Sequence, residues 1–316
     1  MPELAIIIVS YNTGKLLRAC LDSVRADLER SGLEGELWVV DNGSSDGSAA
    51  MVRERFPEVN LLALRENIGF AAANNAALRE ISEGGEQCVP SRYVLLLNPD
   101  TTVQPGALGA LAAFMEEHPD AGVAGAQLRS PDGSFQHSAF RFPTLAQIFL
   151  DFFPLHYRLI NSRLNGRYPR AWYERGEPFE IGHALGAAMM VPGRAIAEVG
   201  LLDERFFMYC EEIDWCWRMK RAGWRVYCVP RAVVIHHEAQ STRQFRDEMV
   251  VQLWRSRFRL FEKHYSPLFR WAARQLVRLG VGAEIARARR AHLGGAFSSQ
   301  AYEKRIEGLQ QVRQMQ

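Results

Sequence analysis

Leu4-Ala-Ile-Ile-Ile-Val9 runs without a polar residue into Ser10-Tyr11-Asn12. A continuous β-branched run of this kind predicts a strand buried on both faces, as the strands of parallel sheets are. The sequence that follows keeps strand and helix in alternation. Leu17, Cys20, Leu21, Val24 and Leu28 fall at helical spacing within 14–31, and Glu36-Leu-Trp-Val-Val40 is the next strand. After another helix come a short strand at Val59–Leu64, a helix near 70–82 and the strand Tyr93-Val-Leu-Leu-Leu97. Such alternation predicts an α/β fold, a mainly parallel sheet flanked by helices, with ligands bound beyond the carboxyl ends of the strands. Ser10, Tyr11, Asn12, Asp41, Asn42, Asn98 and Asp100 all stand at those ends.

Beyond Pro119 the pattern changes. Residues 141–180 are rich in aromatics, arginine and proline with weak periodicity, and predict a partly helical excursion. A strand near Gly186–Val191, a helix over about 210–222 and a strand Val226–Val229 leading to His236-His237 resume the core. The chain thus divides into a main α/β domain over 1–245, with halves at about 1–118 and 119–245, and a basic amphipathic helical tail over 246–316. In the tail, Val251, Trp254, Phe258, Phe261 and Tyr265 form one apolar helical stripe. Ser266-Pro267 then reads as an N-cap with proline at the first helical position. Arg270, Arg274 and Arg278 follow at i, i+4 and i+8 beside Phe269, Trp271 and Leu276. Two readings of these arginines stand: solvated side chains on a packed helix, or a helix resting on an anionic membrane surface.

The 316 residues are enough for a core without disulfides, and a formal net charge of +2 points to no class of partner, nucleic acid included. Five cysteines, without a CxxC pair, fit free thiols in a reducing cytoplasm. The apolar start is short and lacks a basic flank, and no apolar run approaches the roughly 20 residues of a membrane span. The expected location is cytoplasmic, with the inner membrane face as an option for the tail.

Several residues carry chemistry. Asp41 offers acceptors to a base or ribose, or closes an Asx turn. The absence of GxGxxG after the first strand argues against a dinucleotide-dependent oxidoreductase. Asn98-Pro-Asp100 sets hard oxygen ligands suited to Mg²⁺ or Mn²⁺ at a strand exit, although it is also good turn chemistry. In Glu211-Glu-Ile-Asp214, helix-dipole stabilisation and an i, i+4 pair with Arg218 account for Asp214. Two adjacent glutamates are less well explained, and Glu212 or Glu211 could serve as a general base. His236-His237 end a late strand, where an imidazole could complete a metal site begun by Asp100.

Taken in order, these pieces resemble the family-2 glycosyltransferases of the GT-A fold, closest to the rhamnosyltransferase-like bacterial branch. The matching stretches are Val9-Ser-Tyr-Asn12, Val39 to Ser48, Glu66-Asn-Ile-Gly-Phe70 with Asn74-Asn75, and Leu95 to Thr101. They continue with Gly186 to Val191, Leu202 to Tyr209, Glu211 to Arg218, and His236 with Ser241, so the likeness spans residues 5–241. The resemblance implies that Asp41 binds the nucleobase and that Ser10, Tyr11, Asn12, Asn67, Gly69 and Asn74 shape the nucleotide pocket. Asn98 and Asp100 stand where the family carries its DxD motif, and His236 where it carries a distal metal ligand. Glu212 falls at the general-base position, with Glu211 and Asp214 as lesser alternatives. The implied cofactor is a divalent cation, Mg²⁺ or Mn²⁺, and the implied partners are a nucleoside-diphosphate sugar and a glycan or lipid-linked acceptor. The donor implied first is dTDP-L-rhamnose, with UDP sugars behind it, transferred with inversion in cell-surface polysaccharide synthesis. Three departures stand out: Asn98 replaces the first acid of DxD, Glu212 replaces the usual aspartate, and Glu238-Ala239 replace glycines after the histidine. The rival readings are a sugar-nucleotide pyrophosphorylase, whose Gly-rich, Arg-containing first loop is absent here, and a non-catalytic nucleotide- or glycan-binding module.

Overall fold

The computed structural model describes residues 3–82, 91–153, 155–156, 159, 161–237, 246–296 and 298–315. Strand β1 (Leu4–Ser10) is buried along its whole length, because β2 (Gly35–Asp41) and β4 (Tyr93–Leu97) flank it, both parallel. β3 (Asn60–Ala63) adds in parallel to β2. The connections are α1 (Gly14–Ser31), α2 (Ser48–Arg55) and α3 (Phe70–Ile81). α1 buries the five apolar residues that its sequence spacing picks out, together with Asp27. Asp27 accepts from the backbone N–H of Gly106 and of Leu108 (2.8 Å), capping the start of α4 (Ala107–Glu117).

Past β4 the sheet becomes mixed. β5 (Thr101–Val103), β6 (Ala121–Arg129), β11 (Ala188–Pro192) and β12 (Arg225–His236) complete the strand order β3-β2-β1-β4-β11-β6-β12-β5. β11 runs antiparallel to both β4 and β6, while β12 is parallel to β6 and antiparallel to β5. β7 (Phe135–Gln136) pairs with β6 and β9 (Phe179–Glu180) with β12, while β8 (Ala139–Phe140) and β10 (His183–Ala184) form a separate ribbon. Short helices α6 (Arg170–Glu174) and α7 (Gly193–Val199) precede α8 (Glu211–Arg221). The last strand runs from Arg225 to His236, which the sequence places at the end of a late strand, although Pro230 within it has no N–H to give a ladder. A register shift between Val229 and Val233 takes the proline out of the pairing.

The chain forms two units. One holds Met1–Arg141, Tyr168–Phe207 and Glu211–Ser241; the other holds Phe142–Arg167, Met208–Cys210 and Thr242–Gln316. The second unit is helical: α5 (Leu145–Phe152), α9 (Arg246–His264), α10 (Pro267–Leu293) and α11 (Ser299–Gln314). Val251, Trp254, Phe258 and Phe261 are buried in one cluster with Ile148 and Phe152 of α5, Ala273, Val277 and Val281 of α10, and Leu309 and Val312 of α11. Ser266 caps α10 through a hydrogen bond from Phe269 N (3.3 Å), with Pro267 in the first turn. Part of the aromatic excursion thus supplies the partner that the tail stripe needs.

Close packing in this unit turns on Gly280. A Cβ built there would lie 2.1 Å from the Phe152 ring, which is itself stacked on Trp254 at a centroid distance of 5.1 Å. Alanine at an ordinary helix position adds about 1 kcal/mol over glycine. Overpacking against a ring held from behind costs roughly 1–3 kcal/mol and wins. Gly280→Ala is expected to lower the urea midpoint of unfolding; a raised midpoint would show that Phe152 can move away.

Candidate functional site

The loops leaving β1, β2 and β3 are tied to one another. Asn12, in left-handed backbone (φ 53°), accepts from Ser45 N at 2.8 Å and donates its own N–H to Ser44 Oγ at 2.9 Å. Asp46 accepts from Gly14 N at 2.8 Å, and Ser10 Oγ lies 2.9 Å from Thr13 Oγ1. Asn42 joins the third loop: its side chain donates to Asn67 Oδ1 (2.9 Å) and accepts from Ile68 N (2.9 Å). Gly69 has φ 92°, and a Cβ there would stand 2.5 Å from the carbonyl oxygen of Phe207, which accepts from Phe70 N at 2.6 Å. Only glycine fits at that approach. Asn74 donates to Phe70 O within its own helix, whereas Asn75 reaches Leu202 O and Glu204 and accepts from Leu202 N. Asn42, Asn75 and Phe207 all lie in sequence motifs, but their partners are set by tertiary approach and not by spacing.

Within this shelf, Asp41 is 3% exposed. Its Oδ2 accepts from Ser44 N at 3.2 Å, while the buried Oδ1 has no protein partner. A buried acceptor left open in this way is suited to a ligand donor. Tyr11 is half-buried and follows Ser10, which stands opposite Asp41 in the β1–β2 pairing.

Asp100 and His236 come together through the sheet. His236 stands opposite Thr101 in the β12–β5 pairing, and its Nε2 lies 3.4 Å from Asp100 Oδ1. His237 turns elsewhere: its N–H donates to Asp100 O (2.8 Å) and its Nε2 meets Thr102 Oγ1 (3.3 Å). Beneath the turn, Cys20 Sγ contacts Asn98 O and Thr101 Oγ1, and burial pushes its thiol up to about 12. Asn98 keeps a half-buried side chain, its carbonyl accepting from Thr101 Oγ1 at 2.7 Å. Among the described residues, no group of three or more His, Cys, Asp or Glu side chains gathers as a metal cage. Ligands at about 2.1 Å on adjacent octahedral positions stand about 3 Å apart, so one carboxylate and one imidazole at this separation fit two positions of a divalent ion.

Three acids open α8, and the structure separates them. Asp214 is fully buried and paired with Arg218 (2.8 Å), which also donates to Val199 O (2.9 Å) and Leu201 O (2.8 Å). Glu211 is buried, and burial followed by the charge of Glu212 holds its carboxyl well above the usual carboxylate range. Glu212 is half-buried, and a Cβ on Gly186 would touch its Cβ and Cγ at 3.6 and 3.7 Å. Next to Gly186, Ala187 O accepts from Asn98 N at 2.9 Å. A short path of contacts therefore runs from Asp100 through Asn98 and Ala187 to the Glu212 side chain. The residues before α8 read as a strand in sequence, Phe206-Phe-Met-Tyr209, but form turns, with Tyr209 and Cys210 both left-handed (φ 68° and 69°). Each such non-glycine residue costs roughly 1–2 kcal/mol. Ser241 lies outside the described residues, as does Cys88.

The profile of the family described as Glycosyl transferase family 2 matches residues 5–187. The chain belongs to that family. It is 34% identical over 251 residues to N-acetylglucosaminyl-diphospho-decaprenol L-rhamnosyltransferase of Mycobacterium tuberculosis, covering 76% of this chain and 77% of the relative. Against rhamnosyltransferase WbbL of Escherichia coli it is 25% identical over 210 residues, 66% of this chain and 72% of that one. In fold it is similar to the mannosyltransferase PcManGT of Pyrobaculum calidifontis, solved with GDP-Man and Mn²⁺: TM-score 0.58, 15% identity, 98% of this chain and 85% of that one. The fold is GT-A and the protein is a glycosyltransferase, which removes the pyrophosphorylase and binding-module readings.

The three acids of this family-2 enzyme should respond differently. Asp214→Asn strands the Arg218 guanidinium and is expected to cost roughly 1–3 kcal/mol of stability. Glu212→Gln should leave the urea midpoint within about 0.5 kcal/mol of the parent. Equal midpoints for both variants would remove Asp214 from its anchoring role.

Proposed function

We propose that this enzyme transfers L-rhamnose from dTDP-L-rhamnose to a hydroxyl of a lipid-linked glycan acceptor, with inversion, in cell-surface polysaccharide synthesis. What carries the reading is the single shelf of strand ends that holds an open Asp41 oxygen, the Asp100–His236 pair and, beyond Asn98 and Ala187, the half-buried Glu212. The sugar and the acceptor class are supported by the names of the relatives, one of which is a rhamnosyltransferase acting on a diphospho-decaprenol-linked sugar.

In this reading Asp41 Oδ1 accepts the N–H of a pyrimidine base, and Ser10, Tyr11, Asn12, Asn67, Gly69 and Asn74 shape the pocket around the nucleotide. Asp100 and His236 hold a divalent cation, Mg²⁺ or Mn²⁺, with Asn98 beside them. When bound, the cation supplies charge neutralisation on the departing diphosphate. Glu212 takes the acceptor proton as the acceptor oxygen attacks the anomeric carbon on the face opposite the diphosphate, so that configuration inverts and no covalent glycosyl-enzyme forms.

The lipid-linked acceptor gives the helical tail a task. Leu268, Trp271, Leu279 and Leu293 are 62–77% exposed on one stripe of α10, with Arg278, Arg289 and Arg290 exposed beside them. The one acid of α10, Glu284, is only half-exposed and pairs with Arg287 and Arg305. An acid-free stripe of tryptophan, leucine and arginine suits an anionic lipid surface. Of the arginines read from the sequence, Arg270 and Arg274 are half-buried, and Arg274 meets Glu262 (3.4 Å), so the exposed face is set by Arg278 and its successors. No helix among the described residues is long and apolar enough to cross a membrane.

Two experiments test these assignments. Glu212→Gln should bind the donor as the parent does and lose about 10²–10⁴-fold in kcat. Asp100→Ala should keep its melting temperature and lose cation-dependent stabilisation by dTDP. A folded Asp100→Ala enzyme with normal turnover would remove the cation assignment, and a larger thermal shift with UDP sugars than with dTDP-rhamnose would change the donor. For the tail, co-sedimentation should show binding to anionic vesicles but not neutral ones, weakened by salt and by Trp271→Ser with Arg278, Arg289 and Arg290 changed to Gln. Indifference to lipid charge would leave the stripe without that role.

A further inference from the structure

His236 is contacted at both ring nitrogens. Nε2 faces Asp100, and Nδ1 lies 3.1 Å from the side-chain nitrogen of Gln136, in a buried contact. Gln136 is 8% exposed and is placed by pairing: it stands opposite Leu128 of β6, which stands opposite Val234 of β12, two residues before the histidine. The contact spans 100 residues of sequence.

A neutral imidazole has one N–H, and the partner at one nitrogen decides what the other can do. With the Gln136 NH₂ donating to Nδ1, the ring proton sits on Nε2 and points at Asp100. A cation at Asp100 needs the opposite state, a bare Nε2 and a proton on Nδ1. Turning the Gln136 amide by 180° puts its carbonyl oxygen where the NH₂ was, ready to accept that proton. Glutamate could only accept there, and methionine or leucine could do neither.

We propose that Gln136 is a positioning residue for His236, a two-way partner whose amide can donate to Nδ1 and, turned by 180°, accepts from Nδ1 when the cation is held. This rests on the reading of Asp100 and His236 as the cation's ligands. It assigns Gln136 no contact with cation or substrate, only control over the ring that makes one.

Long-range ¹⁵N–¹H spectra of the histidine rings report the tautomer directly. The parent protein should carry the His236 proton on Nε2 alone and on Nδ1 after addition of Mg²⁺ and dTDP. Mn²⁺ titration followed by electron paramagnetic resonance, with dTDP present, gives the affinity. Gln136→Met should weaken Mn²⁺ binding by about 10–100-fold, the usual effect of losing such a partner. Gln136→Glu, which keeps the acceptor, should restore most of it. An unchanged affinity in a folded Gln136→Met protein, with His236→Ala still weakening it, would overturn the role of Gln136 while leaving His236 a ligand. An affinity indifferent to His236→Ala would overturn the ligand assignment and this proposal together. Should Gln136→Met fail to fold, the proton staying on Nε2 in the Mg²⁺ and dTDP complex of the parent would overturn the proposal by itself.

Discussion

The pairing of β12 with β5 is the constraint on which the site depends. Asp100 follows a strand in the parallel half of the sheet, while His236 arrives from the far side of the mixed half, 136 residues later in the sequence. Setting His236 opposite Thr101 brings the two side chains to 3.4 Å. That pairing is available only because the register of β12 shifts past Pro230 and lets the strand run on to its last residue. Had β12 stopped at Val229, the histidine would stand on a free loop, with its ring geometry set by no ladder. The antiparallel insertion of β11 between β4 and β6 acts in the same direction. It places Gly186 and Ala187 at the exit of β4, where the one receives the Glu212 side chain and the other bonds Asn98.

The polar residues of the shelf fall into two groups by how their hydrogen-bonding capacity is used. Asn42, Asn75 and Arg218 spend theirs on the protein, binding loops that would otherwise be separate. Asp41 holds one buried oxygen open. An unpaired buried acceptor costs on the order of 1–3 kcal/mol. Such a cost persists only where surrounding structure over-determines the geometry. The cross-linked loops are that structure: each of the first three strand exits is held by side chains from another.

The sequence discloses the elements more readily than the contacts between them. β1 and α1 are legible because burial on both faces and helical periodicity are local signals, and the structure reproduces them almost residue for residue. The capping of α10 by Ser266 is equally local. Where the reading from sequence departs from the structure, a tertiary effect prevails over a local one. Phe206 to Tyr209 has strand composition, yet left-handed backbone at its end makes it a turn. The division at residue 246 misses that α5 packs with the tail, since no property of 145–152 names its partner. At the candidate site, Asp41, Asp100, Glu212 and His236 stand in ordered motifs, whereas Gln136 stands in none, because only folding brings it to His236.

The start of α8 shows why geometry and not charge sorts the acids. Three carboxylates within four residues are equivalent to a helix dipole, which would welcome each of them. Burial makes them different. Asp214, wholly enclosed, stays with a guanidinium that is itself fixed by two carbonyls, so it is committed to the fold. Glu211, enclosed without such a partner, is driven toward its neutral acid, because a buried charge beside the charge of Glu212 would face both desolvation and repulsion. Glu212 alone of the three is half-exposed, and its Cβ and Cγ lie next to Gly186. At 3.6 and 3.7 Å from Glu212, a Cβ on residue 186 would make only ordinary contact, so burial and pairing, and not the glycine, sort the three acids.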